Sequence, residues 1–69
     1  MPQIQVTING EGRQLPAECT IAQLLQILGL DPMRVAVERN LDVVPRLTYA
    51  EARLGAGDQV EIVTFVGGG

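Results

Sequence analysis

Residues 20–30 read TIAQLLQILGL, a helix with both of its ends written into it. Thr20 followed three residues later by Gln23 makes a capping box, in which each side chain satisfies a free backbone N–H of the first turn. Ile21, Leu24, Leu25 and Leu28 recur at helical spacing, so one face is apolar. Gly29 stands where a helix C-terminus takes a left-handed residue, Leu30 is placed to pack back on Leu25, and Pro32 prevents continuation. A single long helix with one apolar face needs a second layer to cover it, and the rest of the chain must supply that layer as sheet.

The flanking segments have the period of strands. QIQVTING places Ile4, Val6 and Ile8 on one face and runs into Asn9-Gly10, the strongest short hairpin signal. The return, EGRQLP, is polar and contains Gly12, so two registers are open: a two-residue loop pairs Ile8 with Glu11, a longer one pairs it with Arg13. RVAVERN and DVVPR read as two short strands about a turn at Asn40, with Val35 and Val37 inward and Pro45 ending the second at an edge. LTYAEARL is expected to form a short helical turn starting near Thr48. Gly55 and Gly57 punctuate, Asp58 opens a turn, and QVEIVTFV forms the last strand. The expected fold class is α+β: a mixed sheet of about five strands, one main helix packed on one face and a short second helical turn. In the last strand Val60, Ile62, Thr64 and Val66 alternate with Gln59, Glu61, Val63 and Phe65. If the first set faces the helix, Val63 and Phe65 face outward and are candidate partner-binding residues.

Composition matters most for what it removes. The 69 residues carry a net charge of -3 and contain neither lysine nor histidine, the usual Schiff-base formers, general bases and metal ligands. Serine is also absent. The basic residues, Arg13, Arg34, Arg39, Arg46 and Arg53, form no cluster that would track phosphates, so nucleic acid is not an expected partner. No apolar run approaches the roughly 20 residues of a membrane-spanning helix, and no targeting segment is visible. The expected location is cytoplasmic.

The remaining reactive groups have structural explanations. Cys19 excludes an internal disulfide by being alone, and its place before the cap residue suits a small apolar staple against Leu24. Glu11, Glu18, Asp31, Glu38, Asp42, Glu51, Asp58 and Glu61 are dispersed, and Asp31, Asp42 and Asp58 fall at turns, where aspartate bonds neighbouring N–H groups. No phosphate-binding glycine pattern occurs. No catalytic or metal residue is expected.

That leaves Gly67, Gly68 and Gly69. Without side chains they are expected to form a flexible tail on a domain spanning 1–66, reaching about 10 Å when extended. The group such an arm delivers is the α-carboxylate of Gly69. A carboxylate with a pKa of about 3.5 is ionised and a poor electrophile, and adenylation with ATP would activate it.

In this order, INGEGRQLP, TIAQLLQILGL, VAVERNLDVVPR and GAGDQVEIVTFVGGG resemble the ubiquitin-like β-grasp sulfur carriers, most closely those of the thiamin pathway, the ThiS-like proteins. The resemblance covers essentially the whole chain and matches Gly68-Gly69 to the family's diglycine. It implies a carrier that is not itself an enzyme and binds no cofactor. A ThiF-like adenylating enzyme would use ATP on Gly69, a cysteine desulfurase or other donor would supply sulfur to leave a thiocarboxylate, and a ThiG-like thiazole synthase would consume it. Two departures stand out: Gly67 adds a third glycine, and Leu41 replaces the glycine that many relatives place after the turn asparagine. The small subunit of molybdopterin synthase, a carrier for another pathway, and a plain β-grasp binding module are the alternatives.

Overall fold

The structure is a computed structural model that describes residues 2–65. Its elements are β1 (Gln3–Ile8), β2 (Glu11–Pro16), α1 (Ile21–Leu28), β3 (Val35–Arg39), β4 (Asp42–Val43) and β5 (Gln59–Thr64), with single 3₁₀ turns at Pro32–Arg34 and Arg46–Thr48. The strands form one five-stranded sheet in the order β2-β1-β5-β3-β4. β1 and β5 are parallel, whereas β1–β2, β3–β4 and β3–β5 are antiparallel. This is the expected α+β arrangement of a mixed sheet under one helix. The boundary expected between 1–66 and a 67–69 tail falls outside the described residues.

The helix forms as its sequence dictates. The N–H of Gln23 donates to Thr20 Oγ1 at 3.1 Å and the N–H of Thr20 to Gln23 Oε1 at 2.9 Å, completing the capping box. Gly29 adopts φ 71°, its N–H reaching Gln26 O and the Leu30 N–H reaching Leu25 O. That pair of bonds is a Schellman closure, which spends two of the last turn's free carbonyls. Ile21, Leu24 and Leu25 are buried against Val6, Leu15, Val35, Val37 and Val60 from the inner face of the sheet. Cys19 joins the same core, in keeping with its reading as a small apolar staple.

Both hairpins use two-residue turns. Ile8 pairs with Glu11, which settles the open register in favour of the shorter loop. Asn9 and Gly10 take φ 49° and 84°; Asn40 and Leu41 take φ 52° and 73°. Positive φ at both central residues is the type I′ geometry, whose twist matches that of the flanking strands. Leu41 therefore places a branched residue in the left-handed region.

The two turn asparagines also tie each hairpin to β5. Asn9 Oδ1 accepts from the Ile62 N–H at 2.8 Å and Asn9 Nδ2 donates to Ile62 O at 3.2 Å. Asn40 Oδ1 accepts from the Gln59 N–H at 2.9 Å, and the Asn40 N–H donates to Gln59 O at 2.7 Å. An asparagine side chain offers a donor and an acceptor like those of a peptide group, so it extends a ladder where the backbone turns away.

Three expectations need correction, and one element was not expected. The helical turn placed near Thr48 begins earlier, at Arg46, because Pro45 (φ −62°) enters it and the Thr48 hydroxyl bonds back to Pro45 O at 2.7 Å instead of capping forward. The Thr48 carbonyl then accepts from Glu51 and Ala52, so one further turn follows. The strand read in DVVPR is only Asp42–Val43, and the 3₁₀ turn at Pro32–Arg34, capped by Asp31 Oδ1 on the Met33 N–H at 2.9 Å, was not anticipated. Asp58 closes its turn and does not open it: its Oδ2 accepts from the Gly55 N–H at 2.8 Å.

Asn9→Ala is expected to lower unfolding free energy by about 1–3 kcal/mol, because it strands the part-buried Ile62 peptide groups. Leu41→Gly should raise it by up to about 1 kcal/mol by relieving the left-handed leucine. Urea denaturation with unchanged m-values checks both.

Candidate functional site

The site expected from the sequence is the end of the chain, and the structure describes what leads up to it. β3 pairs with β5 from Val35↔Thr64 to Arg39↔Val60, so the last strand is held along its length. Beyond Thr64 the Phe65 N–H still donates to Arg34 O at 2.8 Å. Arg34 belongs to the 3₁₀ turn that Asp31 caps, and Arg46 pins the same segment through Nε to Pro32 O at 2.9 Å and through a terminal guanidinium N–H to Val35 O at 3.3 Å. Backbone bonds therefore set the path by which the chain leaves the sheet. Gly67, Gly68 and Gly69 lie outside the described residues.

Val60 and Ile62 point into the core, which turns Val63 and Phe65 outward at 60% and 52% exposure. The two are neighbours on the open face of the sheet, Val63 within β5 and Phe65 one residue past its end. A shallow recess lined by Asp31, Met33, Arg34 and Phe65 sits at this end. The sequence reading of Val63 and Phe65 as outward residues agrees with this. It missed Met33 and Arg46, because the first needs the unanticipated 3₁₀ turn and the second acts through carbonyls that are distant in sequence.

Reactive chemistry is sparse elsewhere. Among the described residues no group of three or more His, Cys, Asp or Glu could hold a metal ion, and no helix is long and apolar enough to cross a membrane. A groove lined by Pro16, Glu18, Cys19, Gln26, Ile27 and Arg53 among others lies at the other end of the sheet from Phe65 according to the strand register. Its charges, Glu18 and Arg53, form an exposed ion pair at 3.4 Å. Burial pushes the Cys19 thiol above its ordinary pKa, which is the reverse of what a nucleophile requires.

A five-stranded mixed sheet grasping one capped helix defines the class of ubiquitin-like β-grasp domains. The profile of the ThiS family matches residues 6–69, and the chain belongs to that family of small sulfur carriers. It resembles the crystal structure of the thiamine biosynthesis protein ThiS from Geobacter metallireducens with a TM-score of 0.80 and 32% identity, covering 96% of this chain and 100% of that one. It is 44% identical over 50 residues to the sulfur carrier protein ThiS of Bacillus subtilis, covering 72% of this chain and 76% of that protein. It is also 48% identical over 66 residues, 96% of the chain, to a thiazole synthase of Paramagnetospirillum magneticum, of whose length it spans 20%.

In the native protein Cys19 should react with a thiol reagent at about pH 8 only as fast as the protein opens. Because its folded pKa is raised, this group favours folding below the unfolded thiol value of about 8.5, and its contribution is lost as pH rises above that. Rapid labelling of folded protein would contradict the assignment.

Proposed function

We propose that this chain carries sulfur as a thiocarboxylate on the α-carboxyl group of Gly69 and delivers it for thiazole formation in thiamin biosynthesis. The observation that bears most weight is the family match running from Val6 through the terminal glycines. The proposed partners are an adenylating enzyme of the ThiF type, a cysteine desulfurase or other sulfur donor, and a ThiG-type thiazole synthase. The last is favoured by relatives that themselves bear the name thiazole synthase. The same relatives and the ThiS-named ones favour thiamin over molybdopterin.

In the first step a Gly69 carboxylate oxygen attacks the α-phosphorus of ATP, forming the acyl adenylate and releasing pyrophosphate. Hydrosulfide then forms the C–S bond as the bond to AMP breaks. If the donor is a persulfide, the acyl disulfide first formed needs a thiol to reduce its S–S bond. ATP is a substrate of the partner and is not a cofactor held here. Gly67 and Gly68 present the group through a channel too narrow for side chains, and Val63 and Phe65 dock the body on the partner.

Intact-mass spectrometry after incubation with ATP, the adenylating enzyme and sulfide tests this. The expected gain is the exchange of one oxygen for one sulfur on the last residue, and deletion of Gly68 and Gly69 should abolish it. An unchanged wild-type mass, with an enzyme shown to be active, overturns the proposal. Phe65→Asp should fold normally yet load about tenfold or more slowly, as expected for loss of an apolar anchor.

A further inference from the structure

The open face of the sheet carries more than Val63 and Phe65. Cross-strand partners share a face, and the register places Val43 opposite Glu38 and Glu38 opposite Glu61, so one row across β4, β3 and β5 reads Val43, Glu38, Glu61. Two residues further along β5 the next row is Ala36 and Val63, followed by Phe65. All face solvent, Val43 at 71%. Two carboxylates therefore stand opposite one another, with Val43, Ala36, Val63 and Phe65 on one side of them and the polar Gln59 on the other.

Folding gains nothing from this. Like charges directly opposite on adjacent strands are destabilising. Among the described residues the ion pairs join Arg34 to Asp31, Arg39 to Asp58 and Arg53 to Glu18, and none reaches Glu38 or Glu61. Arg46 is committed to the carbonyls of Pro32 and Val35. A cation from outside would turn the repulsion into attraction, and a partner resting on Val43 and Val63 would shield it in part from water.

Building on the docking reading above, we propose that this face receives an arginine of the partner protein, its guanidinium spanning Glu38 and Glu61 while neighbouring aliphatic side chains of the partner rest on Val43 and Val63. The geometry suits arginine. Opposed strand residues lie about 5 Å apart at Cα, so one planar fork of five N–H donors reaches both carboxylates, where a lysine ammonium would favour one. The net charge of -3 steers a basic surface toward the chain. From Glu61 the patch runs along β5 to Phe65, so a partner bound here is already aligned with the departing chain.

The test measures affinity for the adenylating enzyme and, separately, for the thiazole synthase from the same genome, using the full chain at low and high salt. Glu38→Gln/Glu61→Gln should weaken binding to at least one of them about tenfold or more at low salt, flatten the salt dependence, and leave the melting temperature unchanged or higher. Glu38→Arg/Glu61→Arg should bind still more weakly. If the glutamine variant binds both within twofold and with the same salt slope while Phe65→Asp loses binding, the arginine proposal is overturned and the docking reading stands. If the wild type binds neither partner, both fall.

Discussion

Everything in this fold is referred to β5. It lies at the centre of the sheet, parallel to β1 and antiparallel to β3, and both hairpins are fastened to it through the same device. The β1–β5 backbone pairing is brief, with Thr7↔Gln59 and Ile8↔Val60 as its register, because β1 turns away at Asn9. The Asn9 side chain then supplies the donor and acceptor that the lost strand would have offered to Ile62. From the other side Asn40 serves Gln59 with its side-chain oxygen as acceptor and its backbone N–H as donor. A central strand whose peptide groups were left half paired would cost several hydrogen bonds in a domain with little stability to spare.

That arrangement decides what each face of β5 can be used for. Its inner residues, Val60 and Ile62, are consumed by the helix, whose caps hold it to a length that covers one side only. The outer residues, Glu61, Val63 and Phe65, face solvent along a line that ends where the chain leaves the sheet. A carrier benefits from such a division. In the proposed function its body would be recognised on a rigid strand, with the reacting group left to residues that have no side chains. On the same proposal, activation and transfer chemistry would reside in the partners, and this chain would need no histidine, lysine or serine of its own.

Local signals were legible and were confirmed residue by residue. Thr20, Gln23 and Gly29 bounded the helix because caps are made by neighbours within a few residues. Asn9-Gly10 marked its turn for the same reason, and alternation alone separated Val60 and Ile62 from Val63 and Phe65. The 3₁₀ turn at Pro32–Arg34 and the early start at Arg46 were not legible, since each is stabilised by a single short-range cap and by Arg46 reaching across to carbonyls of another segment. Cys19 read correctly as a buried apolar residue, because a small apolar residue before a cap has few other places to go.

What the sequence determined by itself, then, was the kind of each element and which of its residues turned inward, for these depend on spacing within one segment. Only the tertiary structure decided who sits beside whom. The Ile8↔Glu11 register, the asparagine bonds to β5 and the meeting of Glu38 with Glu61 all join residues through the order and register of strands. Period-two alternation assigns a face to each residue, but it says nothing about which strand lies alongside or how far it has slid, and the outer face of this protein is defined by those two quantities.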